Sequence, residues 1–203
     1  MASELDSTPK VFQHMLGCKQ CRLHKNRRNV VVGRGNYRNS SVMIVGEGPG
    51  EEEDRTGKPF VGRAGERLNE FLSGAGLADI YICNIVKCRP TSDGKNRAPS
   101  SLEVRKCSLH MDLKIRVVRP KIIVVLGNVA LQYFCPGKKI LSCHGQEFNS
   151  KKCFATIFPI IHPAAGLRRP EWNDLIQKDF DLLKSLVSTT PESKAVFGSV
   201  MIG

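Results

Sequence analysis

The chain has 203 residues, enough for one globular domain with a full-sized core. Lys and Arg total 31 against 19 Asp and Glu, a formal +12, which favours a polyanionic partner, most often nucleic acid. No apolar run approaches the roughly 20 residues that cross a bilayer, and "MASELDSTPK" lacks the apolar centre of a signal peptide, so a membrane or secreted protein is disfavoured.

In chain order, residues 1–10 read as a flexible lead, 11–188 as a single domain beginning with a cysteine-bearing arm, and 189–203 as a flexible tail. "GCKQCRLHKNRRN" carries Cys18 and Cys21 beside Arg22, Lys25, Arg27 and Arg28. "NVVVG" and "SVMIVG" predict strands, the second running into the acidic glycine loop "GEGPGEEED". "GKPFVG" predicts a loop around Phe60. "RAGERLNEFLSGAG" predicts a helix with Leu68, Phe71 and Leu72 on one face and Gly74 and Gly76 as a stop.

"IYICNIVK" predicts a strand containing Asn84, followed by Cys88. "SSLEVRKCSLHMDLKIRVV" predicts a serine-capped helix that carries Cys107 and ends before Pro120. Then come the strand "KIIVVLG", the short helix "GNVALQYF", the strand "CFATIFPI", the turn "IHPAAGLRR" and a last helix, "WNDLIQKDFDLLKSLV". In that helix Leu175, Ile176, Asp179, Phe180 and Leu183 fall at helical spacing. The near-continuous apolar strands suit a parallel sheet covered on both faces. Alternation with helices implies an α/β fold, a three-layer α/β/α sandwich. Ligands of such sheets bind at the carboxyl ends of strands, where "GEGPG", "NIVKCRP" and "IHPAAGLRR" all lie.

Eight cysteines in a reducing compartment point to a metal or buried thiols rather than a disulfide framework. The C-x-x-C pair lets two thiolates reach one centre. Zinc and iron–sulfur clusters both accept four thiolates, but zinc modules usually keep the second pair close together. Cys88 and Cys107 are far apart, which favours a cluster joining separate elements. Cys83 and Cys153 read as structural, and Cys135 and Cys143 flank "PGKKILS".

Taken in order, "GEGPGEEED", "GKPFVGRAG", "NIVKCRP", "NRAP" before a cysteine-bearing helix, "VVLGNVA" and "HPAAGLRR" resemble the family 4 uracil-DNA glycosylases, the iron–sulfur branch of that superfamily. The match runs from Cys18 to about Arg169. The resemblance implies a mostly parallel four-stranded sheet, a [4Fe–4S] cluster on Cys18, Cys21, Cys88 and Cys107, and excision of uracil from DNA. It departs at Gly166, where the family often has a larger apolar residue. A sister group traps DNA through a histidine in an arginine-rich loop; the loop here, "GKNRAPS", has none.

A glycosylase acts on a base swung out of the helix. Bond cleavage leaves an oxocarbenium-like sugar and a departing anion. Glu47 is placed to steady the cation and orient water. Gly46 and Gly48 allow close backbone approach. Phe60 offers a stacking face. Asn84 matches O4 and N3–H of uracil and opposes the pattern of cytosine. His162, as a neutral imidazole, donates to O2. By resemblance Glu53 and Asn96 form a supporting polar pair, while Glu51, Glu52 and Asp54 read as solvated acids. Leu167 is positioned to wedge into the vacated stack, with Arg168 and Arg169 near phosphates.

The expectation is an intracellular, monomeric, monofunctional hydrolase. It would act on uracil-containing single- or double-stranded DNA in the cytoplasm, nucleoid or nucleus and open base excision repair. A non-catalytic nucleic-acid-binding module held by zinc or a cluster explains the charge and cysteines but not the loop, Asn84 or the histidine motif. A nucleotide-binding enzyme fails because no G-x-x-x-x-G-K-[ST] cradle is present and the acids repel phosphate.

Overall fold

The computed structural model describes residues 8–38 and 40–190. The expected flexible ends at 1–10 and 189–203 lie mostly outside them. The described chain runs β1 (Arg34–Gly35), β2 (Val42–Gly46), α1 (Glu51–Thr56), α2 (Arg63–Gly74), β3 (Ile80–Asn84), β4 (Thr91–Ser92), β5 (Lys95–Asn96), α3 (Ser101–Val118), β6 (Ile122–Leu126), α4 (Gly127–Phe134), β7 (Phe148–Ser150), β8 (Cys153–Ile160), α5 (Pro163–Arg168) and α6 (Asn173–Thr189). Short 3-10 turns occupy Lys10–Met15, Arg22–Lys25, Ile140–Ser142 and Pro170–Trp172.

The main sheet has the order β1-β3-β2-β6-β8-β7. Its inner four strands are parallel, and β1 and β7 add short antiparallel edges. The parallel four-stranded centre is therefore as expected, widened to six strands. β2, β3 and β6 are buried along their whole length, which is why they read as unbroken apolar runs.

From β2 the chain crosses through α2 to β3 on one side, then through α3 to β6 on the other. Right-handed crossovers place those helices on opposite faces of the sheet. α2 packs with α5 and α6, and Phe71 stacks on Phe180 with ring centroids 5.4 Å apart. On the other face Tyr133 of α4 donates to Asp112 of α3 at 2.8 Å. The reversal of direction at β2 opens a crevice at the strands' carboxyl ends.

α3 begins as expected: Ser100 Oγ accepts from the Glu103 N–H, and Glu103 accepts from the Ser100 N–H at 2.7 Å. α6 buries Ile176, Asp179, Phe180 and Leu183, whereas Leu175 is partly exposed.

Three expectations are corrected. "NVVVG" is not a strand. Val30, Val31 and Val32 are buried, but the segment crosses to the cysteine loop, where Val31 N–H donates to Lys87 O at 2.8 Å. The acids after "GEGPG" form α1 rather than a loop, ended by Gly57 at φ +76°. Asp54 is buried, not solvated. It accepts the backbone N–H groups of Arg28 and Asn29 at 3.0 and 3.3 Å and so ties the N-terminal arm to α1.

Candidate active site

A cavity of about 540 Å³ lies at the carboxyl ends of β2, β3, β6 and β8. Glu47, Gly48, Glu53, Phe60, Asn84, Asn96, His162 and Arg168 line it together with others. Residues predicted from separate motifs are thus gathered by the strand ends.

Gly46 ends β2 and pairs in register with Asn84. A Cβ at position 46 would lie 2.5 Å from Asn84 Oδ1 and 2.6 Å from Phe60 Cζ. Glycine is therefore required for the amide and the ring to converge. Asn84 is 2% exposed, and among the described residues no hydrogen bond holds its amide. Its donor and acceptor are left for a ligand. Phe60 sits at φ +54°, a conformation a bulky side chain adopts at a cost of about 1–3 kcal/mol unless its surroundings enforce it.

Glu53 supplies that enforcement. Its Oε1 accepts the N–H groups of Val61 and Gly62 at 3.0 and 2.9 Å, and its Oε2 accepts the Gly50 N–H at 3.0 Å. One carboxylate thus joins the glycine loop after β2 to the loop bearing Phe60.

His162 is the N-cap of α5. The Ala164 N–H donates to its Nδ1 at 3.1 Å, so Nδ1 is the unprotonated acceptor and Nε2 carries the proton. Burial, and then the Arg168 guanidinium, push its pKa down to about 4. The ring is neutral near pH 7 and lies at 24° to the Phe60 ring, centroids 6.1 Å apart. A Cβ on Gly127, at φ +82°, would approach His162 Cβ to 3.3 Å.

Glu47 follows Gly46, and burial raises its pKa above the usual carboxylate value. Among the described residues no cation or hydrogen-bond donor meets its carboxylate. The Asn96 Oδ1 accepts from Arg89 Nε at 2.6 Å on the β4–β5 hairpin; its Nδ2 and Glu53 Oε2 both approach Gly50, but among the described residues no hydrogen bond joins them. Arg97 grips Glu103 through two nitrogens at 2.7 and 2.8 Å, fixing the hairpin to the start of α3.

Leu167 is 39% exposed on α5 beside exposed Arg168 and Arg169. Asn173 packs so closely on Gly166 that its Nδ2 donates to the Gly166 carbonyl at 3.4 Å, which accounts for the small residue there. Leu141 was not singled out in the sequence. It is 59% exposed where it lines the cavity, close in sequence to exposed Lys138 and Lys139, and its turn is held by Ile140 N–H donating to Asn128 Oδ1 at 2.9 Å. An isolated surface leucine carries no sequence signal, so only the fold reveals its place.

None of the eight cysteines forms a disulfide. Cys18, Cys21, Cys88 and Cys107 line one pocket, with Arg27, Lys87, Lys106 and His110 around them. Arg27, one of the basic residues beside the C-x-x-C pair, is turned inward. It donates to Cys18 O at 2.6 Å, Leu16 O at 3.3 Å and Cys88 Sγ at 3.3 Å. Arg22, Lys25 and Arg28 remain exposed.

Burial pushes the Cys88 thiol up to about 11, a value that a bound cation would reverse. Among the described residues no group of three or more His, Cys, Asp or Glu converges closely enough for a single ion. Tetrahedral zinc needs its sulfurs about 4 Å apart. The four thiols around this one pocket are the donor set that an iron–sulfur cluster takes.

The family model "Uracil DNA glycosylase superfamily" matches residues 32–184. A type-4 uracil-DNA glycosylase of Thermotoga maritima is 41% identical over 87% of this chain and 93% of its own length. Type-4 uracil-DNA glycosylases of Sulfurisphaera tokodaii and Archaeoglobus fulgidus are 36% and 35% identical, over 91% and 90% of this chain and 87% and 94% of their own lengths. With these matches spanning the sheet and every element around the cavity, the chain belongs to the uracil-DNA glycosylase superfamily.

Proposed function

We propose that the protein is a monofunctional uracil-DNA glycosylase that hydrolyses the N-glycosidic bond of a flipped uracil, leaving an abasic site for base excision repair. The observation that carries this reading is the unpaired Asn84 amide in the cavity, facing Phe60 and the neutral His162. The Asn84 Nδ2 donates to uracil O4 and its Oδ1 accepts from N3–H, an arrangement cytosine does not match. Phe60 stacks on the base. The His162 Nε2–H donates to O2 as negative charge gathers there. Glu47, ionised and otherwise unpartnered, faces the positive charge developing on the sugar and orients water. Glu53 is a positioning residue, and Asn96 with Arg89 closes the rim.

Cys18, Cys21, Cys88 and Cys107 would hold a [4Fe–4S] cluster, as their shared pocket supports. When bound, the cluster supplies a cross-link between the N-terminal arm, the loop after Asn84 and α3. Hydrolysis itself requires no electron transfer. The basic surface gives salt-sensitive phosphate contacts to single- or double-stranded DNA, and the protein acts as an intracellular monomer. Among the described residues no helix is long and apolar enough to cross a membrane.

The direct test is an oligonucleotide with one uracil, incubated with the protein and then treated with alkali. Strand breaks at uracil alone are expected. Binding without breaks would favour the non-catalytic module.

A further inference from the structure

Two lysines lie inside the protein: Lys87 is 1% exposed and Lys114 is 0% exposed. Neither meets a carboxylate among the described residues. The Lys87 ammonium donates to the carbonyls of Asn84 and Ile85, the latter at 3.0 Å. Lys114 Nζ lies 3.3 Å from Tyr81 Oη and 4.2 Å from the centre of the Phe12 ring. These partners are neutral. An ammonium removed from water without an anion costs several kcal/mol, so two adjoining ones call for a counter-charge.

The cysteine pocket is where one would sit. Lys87 lines it and directly precedes Cys88. Cys107, His110 and Lys114 recur at spacings of three and four on the buried face of α3. Helical side chains lean toward the helix N-terminus, which carries Lys114 back toward Cys107. His110 adds an independent sign. Its Nε2 is buried with no hydrogen-bond partner among the described residues, and the residue lines the same pocket. A buried polar nitrogen without a partner is rare in a folded interior. A thiolate-bound cluster is anionic, and its sulfurs accept hydrogen bonds. It would satisfy both ammonium groups and the imidazole.

We propose that Lys87 and Lys114, with the His110 imidazole as a hydrogen-bonding group between them and Cys107, form an inner wall for the cluster, and that Lys87 makes the cluster a positioning device for Asn84. This rests on the cluster reading above. The Lys87 side chain grips the carbonyl of the uracil-reading residue from the cluster side. With the cluster bound, Lys87 is held between an anion and the end of β3. Without it, Lys87 faces only carbonyls and a like-charged neighbour.

The test uses purified wild-type protein and the variants Lys114→Met, Lys87→Met, Lys87→Arg and His110→Leu. Iron and acid-labile sulfide are measured first, then the rate of iron release to a chelator and the cluster's reduction potential. Removing a positive charge in Lys114→Met or Lys87→Met, or a hydrogen bond in His110→Leu, is expected to shift the potential to more negative values and to speed iron release about 10-fold. Lys87→Met should also lower kcat on uracil, and Lys87→Arg should restore both readouts in part. If Lys114→Met fails to fold, Lys114→Gln takes the same measurements. Variants with wild-type potential and iron release would overturn the inner wall while leaving the cluster intact. Wild-type protein with zinc or without iron would overturn the cluster reading and this inference together.

Discussion

Gly46 and Asn84 face each other across β2 and β3, and a single added carbon on Gly46 would stand 2.5 Å from the Asn84 amide oxygen. The same carbon would meet the Phe60 ring at 2.6 Å. Gly46→Ala must therefore displace the amide, the ring or both. A misplacement on the order of 1 Å can cost about 100-fold in rate. The variant is expected to keep its far-UV circular dichroism and lose about 100-fold in kcat/KM on a uracil oligonucleotide. Near-normal turnover would show that Asn84 and Phe60 do not converge on the base.

Asn84→Ala removes the buried cavity amide that we propose reads O4 and N3–H together. Loss of one well-placed donor typically costs about 10²–10³ in kcat. DNA binding, carried by basic side chains elsewhere, should change little. Turnover by single-turnover kinetics and affinity by fluorescence anisotropy separate the two effects. An equal loss of both would place Asn84 in DNA binding rather than base reading.

The pH dependence follows from two groups shifted in opposite directions. Burial raises the Glu47 pKa, so its carboxylate protonates as pH falls through a value above the ordinary ~4.3. His162 stays neutral until about pH 4. Glu47 therefore sets the acid limb of kcat, and activity is lost as pH falls. His162→Gln should lower kcat yet leave that limb where it is. Glu47→Gln should leave a residual rate that is flat across it. A limb that moves with His162→Gln would reverse the assignment.

Much of the cavity was legible because its lining gathers at strand ends. Glu47, Asn84 and His162 each follow or close an apolar run, and such runs declare themselves. α3 and α6 were legible from caps and periodicity. α1 was not, because "EEEDRT" has no apolar stripe; its helix depends on Glu53 reaching back to Gly50 and on the left-handed Gly57. α5 is six residues long, too short to show a period. The valines of "NVVVG" are apolar because they are buried, yet they pair with the Lys87 loop instead of a strand. Asp54, Arg27 and Lys87 were misread or passed over for one reason. Charge predicts exposure, and only tertiary structure shows where a charged group turns inward.

Glu53 offers a stability measurement as well as a kinetic one. Its carboxylate satisfies three backbone N–H groups. In Glu53→Gln the amide nitrogen cannot accept, so at least one of them loses its partner. An unsatisfied donor costs about 1–3 kcal/mol. Urea unfolding should show a loss of that size, and the loosened Phe60 loop should reduce kcat. Wild-type stability with reduced kcat would instead place Glu53 in direct contact with the substrate.

Leu141 lines the cavity and Leu167 precedes the cavity-lining Arg168; both are exposed beside basic residues. An apolar wedge helps most where stacked base pairs must be parted and the gap filled. A single strand presents little stacking to break. Leu167→Ala and Leu141→Ala are therefore expected to lower kcat/KM on duplex uracil DNA by about 10-fold, as loss of roughly 1.4 kcal/mol of contact would. On single-stranded DNA they should stay within about twofold. A base-flipping reporter, 2-aminopurine beside the uracil, checks the cause: its fluorescence rise on binding duplex should shrink in both variants. If only Leu167→Ala does this, Leu141 serves as a backbone contact and α5 alone enters the stack. Equal losses on both substrates would mean that the leucines support the cavity wall and part no bases.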